Sequence, residues 1–281
     1  MNSESDFCIF ILTHGRPDTI YTLKTLEKCG YTGKIFIVID DEDDKADEYK
    51  ELYGDDVLQF SKVEEAKTFD TGDNFDDRRT IVYARNVCFR LAKENGYEYF
   101  MQLDDDYTDF AYRFDHEGYY RYKKILNINF VISEMLNFLK NTNISSIAMA
   151  QGGDFIGGSD SAMAKARKLK RKCMNSFICS TDRPFKFIGR VNEDVNTYTC
   201  EANRGLLLFT MNNISLQQKE TQSNEGGMSE MYLSSGTYVK SFYTVMFAPS
   251  CAKVGELPSK YRRLHHSINW NNAVPKILRH K

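Results

Sequence analysis

Four short apolar runs, each closing on polar or acidic residues and most of them followed by a helical pattern, constrain the first 104 residues more than any other feature of this chain. DFCIFILTH (6–14) is closed by Gly15 and Pro17, and residues 18–30 then carry Ile20, Leu23 and Leu26 at helical spacing between Asp18 and Gly30. KIFIVIDDEDD (34–44) repeats the scheme, with a second helix expected over 45–53 and a third strand at DVLQF (56–60). A polar stretch, 61–76, leads to a helix within 77–96, where Ile81, Ala84, Val87, Cys88 and Leu91 share a face and Gly96 stops the run. EYFMQL (98–103) is the fourth strand. Strands alternating with helices predict an α/β, doubly wound, mostly parallel sheet whose ligands sit at the carboxyl ends of the strands. Thr13-His14-Gly15-Arg16, the acids of 40–44 and Asp104-Asp105-Asp106 all fall at such ends.

Beyond residue 110 the pattern changes. Aromatic alternation over 110–122 predicts a hairpin turning at Glu117-Gly118, followed by a helix over 127–141 and a strand at 145–150. A basic helical or extended segment covers 162–172, a short strand 185–189, a short helix 193–205 and a strand 206–210. Residues 217–230 are too polar for core and carry Gly226-Gly227, which fits either a mobile lid or a surface loop; the tail from 258 is basic. No internal repeat or low-complexity linker interrupts the chain.

With 281 residues and 42% apolar composition the chain can bury a full core as one compact unit. No apolar run reaches the roughly 18 residues that span a bilayer, and MNSESDFCIF lacks the order of a secretory signal, so a soluble, cytoplasmic protein is expected. Seven cysteines, with no CxxC pair, read as reduced thiols rather than a disulfide framework or zinc site. The net charge of −2 conceals an asymmetry: residues 1–118 carry 14 basic and 28 acidic side chains, residues 119–281 carry 23 and 11. The first half therefore suits a cation or metal-bound ligand and the second an anionic partner, unless an ordinary solvated surface is simply divided unevenly.

Three adjacent aspartates repel one another, and a cation is what gains from them. On a strand the first and third side chains point the same way, so Asp104 and Asp106 can act on one ligand. Hard oxygen donors suit Mg2+ or Mn2+, which commonly bind through one or two carboxylates plus substrate phosphates. The competing reading is a solvated acidic turn.

FILTHGRPDTIYTLKTLEKCG, VIDDEDD and YARNVCFRLAKENGYEYFMQLDDDY, in that order over residues 7–107, resemble the nucleotide-sugar-binding half of glycosyltransferases with the GT-A fold, family 2 above all. Thr13-His14-Gly15-Arg16 further resembles the Ser/Thr-x-Gly-Arg turn of the TET-associated glycosyltransferases, a mostly phage-encoded group proposed to add sugars to hydroxymethylated pyrimidines in DNA. The resemblance implies a nucleotide-sugar-binding half over 1–110 and an acceptor-binding, base-carrying half over 111–281 of the same domain. It implies that Asp104 meets the donor ribose and, with Asp106, the metal; that Asp105 lies beside them; and that Asp40 accepts from the nucleotide, UDP above all. Thr13, Gly15, Arg16 and Arg85 would line the nucleotide pocket, the arginines serving phosphate or, equally, ion pairs with nearby acids, with His14 on its wall. In 190-RVNEDVNTY-198, Glu193-Asp194 resembles the Glu-Asp pair of family 2, making Asp194 the base of an inverting transfer; a plain helix N-terminal acid is the alternative. His265 or His266 would complete the metal shell, against the commoner fate of a packed or exposed histidine.

For the acceptor the signal is basic. Lys165, Arg167, Lys168, Lys170, Arg171 and Lys172, with Lys260, Arg262, Arg263, Lys276 and Arg279, are candidates for DNA phosphates, and Phe177, Tyr261 and Trp270 for stacking on an extruded base, although any one aromatic is as well placed in a core. A glycan, lipid-linked or protein acceptor is the alternative within the enzyme class, and an inactive nucleic-acid-binding module the alternative outside it. Intact Asp104, Asp106 and Asp194 speak against the module.

Overall fold

The computed structural model describes residues 6–166, 169–219, 239–257 and 263–273. The first hundred residues build the parallel half of a large sheet: β1 (Phe7–Leu12), β2 (Lys34–Asp40), β3 (Val57–Phe60) and β4 (Tyr99–Asp104), linked by α1 (Tyr21–Lys28), α2 (Ala46–Tyr53), α3 (Lys62–Ala66) and α4 (Val82–Glu94). Then follow β5 (Tyr107–Phe114), β6 (Tyr120–Lys124), α5 (Ile128–Lys140), β7 (Ser146–Gln151), α6 (Ala162–Ala166), β8 (Ser176–Ser180), α7 (Glu193–Asn203) and β9 (Leu208–Gln218). After them come α8 (Val239–Phe247) and a separate hairpin, β10 (Ala252–Leu257) and β11 (Arg263–Ile268).

The nine strands lie in the order β3-β2-β1-β4-β8-β7-β9-β5-β6. Only β8 and β5 run against the rest, so the sheet is mixed but mostly parallel, as the alternating pattern predicts. Both faces are covered, which is why β1 reads as a continuous apolar run instead of an alternating one. Its residues still divide with period two. Phe7, Ile9 and Ile11 enter one core, shared with Leu26 of α1 and Met135 of α5. Cys8, Phe10 and Leu12 enter the other, shared with Val87 and Leu91 of α4 and Val195 of α7. Asn127 caps α5 by accepting from the Phe130 amide at 3.1 Å. β1 to β9, drawn from both halves of the chain, thus share one sheet with a large core on each face.

Three local expectations change. The polar stretch 61–76 holds α3, whose Lys62 and Glu65 are buried by charge pairing rather than apolarity. Residues 185–189 are not a strand: Phe187 exchanges both backbone groups with the Asn86 side chain, at 2.8 and 2.9 Å, and Gly189 donates to the Asp70 carbonyl at 2.8 Å. β9 extends to Gln218, taking in the start of the polar segment 217–230, while the basic segment 162–172, read as helical or extended, is helix over Ala162–Ala166. Residues 220–230 of that segment lie outside the described residues. All seven cysteines are free, and among the described residues no helix is long and apolar enough to cross a membrane.

Candidate active site

β4 delivers its acids to the carboxyl edge of the sheet, and the three aspartates take different partners there. Asp104, the last residue of the strand, accepts from the Arg85 guanidinium at 2.9 Å. Asp105 turns into the protein, accepting from Thr13 Oγ1 at 2.6 Å and lying 3.2 Å from the Arg16 guanidinium; burial raises its pKa. Asp106 has less help, from the charge of Arg16 and a backbone amide alone. Its Oδ1 is buried without a partner, and burial, then the charges of Asp104 and Asp105, push its carboxyl up to about 7. A carboxyl so placed is short of positive charge, and a divalent cation would supply it. Among the described residues no set of three or more His, Cys, Asp or Glu side chains stands ready to hold a metal ion. The unpartnered Oδ1 of Asp106, with Asp104 two residues before it, suits the mode in which two carboxylates hold an ion and a diphosphate completes its shell.

Arg85 is the centre of the arrangement. It projects from α4 and is 1% exposed, with its guanidinium 5.0 Å from the ring centroid of Phe177 and 6.0 Å from that of Phe187. Besides Asp104 it donates from Nε to Glu193 at 3.0 Å. One buried guanidinium thus joins the acid run at the end of β4 to the first residue of α7. The next residue, Asp194, is 7% exposed and accepts from the Val195 amide at 2.7 Å. Burial first, then the charge of Glu193, raise its pKa well above the carboxylate range, while Arg85 pulls it back. Of the two roles open to Arg85 in the sequence, the structure gives it the ion pairs.

On the nucleotide side, Gly15 (φ +72°) turns the loop after β1 in a conformation that glycine adopts without cost, and its amide donates to Asp43 at 2.7 Å. Tyr49, fully buried in α2, bonds Thr13 Oγ1 at 3.0 Å and accepts from the Arg16 amide at 2.8 Å. Asp40 is buried, and both its oxygens are engaged: Oδ2 with His14 Nδ1 at 2.9 Å, Oδ1 with Lys62 Nζ at 3.0 Å and the Glu42 amide at 3.0 Å. The hydrogen bond that His14 donates to the Asp40 carboxylate raises the His14 pKa against the effect of burial. Lys62 and Tyr49 are not singled out by the sequence, whereas Asp43 lies in the acid run 40–44 already placed at this edge. Only the run of acids after β2 hinted that a buried cation was needed there.

The remaining candidates are dispersed. His266 lies at the start of α7, its Nδ1 3.2 Å from Asn192 Nδ2, and burial lowers its pKa to about 4. Adjacent strand positions were expected to send the two rings apart, yet the His265 and His266 centroids are 4.2 Å from each other. Lys172 pairs with Asp154, Lys165 with Asp160 at 3.1 Å, and the backbone of Lys170 bridges to Thr210 while Arg171 is exposed. Arg263 contributes backbone to β11; Arg167, Lys168, Lys260, Tyr261, Arg262, Lys276 and Arg279 lie outside the described residues. Phe177, 1% exposed, is core and not a platform for a base. Trp270, 38% exposed, stacks on Tyr198 of α7 with centroids 5.6 Å apart.

The sequence model of the TET-associated glycosyltransferases matches residues 7–227. No curated protein matches the chain. Among solved structures, glucosyl-3-phosphoglycerate synthase from Mycobacterium tuberculosis in complex with Mg2+ and UDP is similar at 11% identity and a TM-score of 0.47, over 93% of this chain and 87% of that one. The same enzyme with Mn2+ and UDP-glucose is similar at 10% identity and a TM-score of 0.48, over 93% and 86%. That is a likeness of layout below the level at which residues can be carried across.

Proposed function

We propose a DNA-directed sugar transfer, on the premise that this chain belongs to the TET-associated glycosyltransferase family. The enzyme moves a sugar from a nucleotide donor, UDP-linked, to the hydroxyl of a hydroxymethylpyrimidine in DNA. The observation that carries this reading is the buried Arg85, which ties Asp104 at the donor end of the sheet to Glu193, next to Asp194. Donor-binding acid and base are thereby held on one rigid unit, as a displacement needing both at one carbon requires.

Asp104 and Asp106 would hold Mg2+ or Mn2+, which when bound supplies charge against the leaving diphosphate. Arg16, anchored by Asp105, stands beside this acid run and orients the nucleotide end with Thr13. Asp194 takes the proton from the acceptor hydroxyl as that oxygen attacks the anomeric carbon, and its raised pKa makes it a stronger base than an ordinary carboxylate. Attack opposite the leaving group inverts the configuration. Asp40 supports the nucleotide pocket through His14, because its own oxygens are taken. DNA would run along the basic second half, Arg171 being a candidate within the described residues and Trp270 a platform for an extruded base.

A glycan acceptor is the second reading, favoured by the internal pairing of Lys165 and Lys172, which removes two cations from the phosphate path. The test is transfer from a radiolabelled UDP-sugar, with Mn2+, to hydroxymethylated DNA, unmodified DNA and oligosaccharides. Label in the hydroxymethylated DNA alone supports the proposal. Label only in a glycan overturns the acceptor, and no donor turnover with any of them overturns the activity.

A further inference from the structure

We infer that Asn175 and Gln218 form the subsite that reads the sugar of the donor, through a pair of its neutral hydroxyls; the inference rests on the glycosyltransferase reading above. Three amides from three strand ends meet at the carboxyl edge: Gln151 ends β7, Asn175 precedes β8 and Gln218 ends β9. Asn175 Nδ2 donates to Gln218 Oε1 at 2.8 Å and to Gln151 Oε1 at 3.2 Å. Both its protons are therefore spent inside the cluster, and Gln151 is in turn spent on its neighbours, Met174 and Asp154. The two amide atoms left over are Asn175 Oδ1, an acceptor, and Gln218 Nε2, a donor. Neither has a partner among the described residues, and both side chains are only partly buried.

The chain holds this pair against the acid run from two sides. Tyr107, the residue after Asp106, donates its hydroxyl to the Asn175 carbonyl at 2.5 Å. Lys219, the residue after Gln218, donates its amide to the Asp106 carbonyl at 3.2 Å. Asn175 is also one of two non-glycine residues with positive φ among those described, at +58°, a conformation asparagine tolerates better than most and one retained where a side chain must be aimed. A donor and an acceptor side by side, without a cation, match a neutral group that both gives and takes hydrogen bonds. Vicinal hydroxyls do so, whereas a phosphate would need donors alone. Two groups with vicinal hydroxyls flank the diphosphate of a nucleotide sugar, the ribose and the transferred sugar; with Thr13 and Arg16 on the nucleotide end, the transferred sugar is the one left for this pair.

The measurement compares UDP with UDP-glucose, in Mn2+, on the wild type, Asn175→Gly and Gln218→Met. Glycine keeps the positive φ and methionine keeps the length, so each change removes the reading group while leaving the fold. Calorimetry should give a UDP Kd within about twofold of wild type in both variants, while UDP-glucose weakens roughly five- to tenfold in each, the worth of one hydrogen bond. UDP-2-deoxyglucose and UDP-galactose serve as second probes: the wild type should lose affinity for at least one, and the variant lacking the matching contact should not discriminate. Equal weakening of UDP and UDP-glucose would make the amides structural and overturn the inference. So would unchanged UDP-glucose binding, including the case in which only the acceptor KM rises. A wild type that binds neither UDP nor UDP-glucose overturns the donor reading itself, a result separate from these.

Discussion

Replacing Arg85 by methionine tests whether one buried guanidinium joins the two acid clusters. The side chain is 1% exposed, and the change strands Asp104, whose side chain is 22% exposed, and Glu193, at 10%. Removing one partner of a buried ion pair costs about 3–5 kcal/mol. Water reaches Asp104 in part, so the lower end applies, about 3 kcal/mol. For a chain of this size each kcal/mol shifts the melting temperature by about 2–4 °C, so a drop of about 6–12 °C is expected. Arg85→Lys keeps a charge but cannot span both acids, and should fall between. Stability is followed by circular dichroism melts. A loss below about 1 kcal/mol would refute the bridging role.

Asp194→Asn should lower kcat by about 10²–10⁴-fold while donor binding persists. Because burial and Glu193 raise the Asp194 pKa, the wild-type rate should fall as pH drops through that raised value, and a pH–rate profile without an acid limb would contradict the assignment. Asp106 is raised from 3.8 to about 7, so its contribution to stability is fully present below about pH 4 and is lost as pH rises through 7; Asp106→Asn without metal should melt higher than wild type at pH 8, by about 1–2 kcal/mol after allowance for its partial exposure. The same variant should lose the stabilisation that Mn2+ gives the wild type, read as a melting shift. In filter binding to DNA, Arg171→Ala should reduce the salt slope by about 0.9, one phosphate contact, whereas Lys172→Ala should leave it unchanged because Asp154 already holds that lysine.

The frame of the fold was legible because it rests on local signals. Apolar runs, the glycine stops at Gly30 and Gly96 and the positions of β1, β2 and β4 follow from periodicity within a dozen residues. Charge is where reading by pattern failed. Lys62 and Glu65 look like solvated helix residues, yet α3 turns them inward because Asp40 and Lys186 wait there. Phe187 looks like a strand residue, but Asn86 supplies the hydrogen bonds that a neighbouring strand would have given. Both errors have one cause: the partner lies far away in sequence, and polarity alone does not say whether a group is paired or solvated.

The same separation governs the site. Asp104, Asp106 and Asp194 could be named from the strand and helix on which they lie, but nothing local says that they meet, since Arg85 and Glu193 are 108 residues apart. Their meeting depends on α4 and α7 packing on the same face of the sheet, where Val87, Leu91 and Val195 enter one core. An apolar face shared by two helices therefore sets the distance between Asp104 and Asp194. Truncating Val195 to alanine should on that account move Asp194 as well as destabilise the core. A loss of about 1–2 kcal/mol accompanied by a kcat decrease beyond what the folded fraction explains, with KM for the donor unchanged, is the expected pattern. If kcat per folded molecule stays at the wild-type value, the base is located by Arg85 and Glu193 alone and the core contributes only stability.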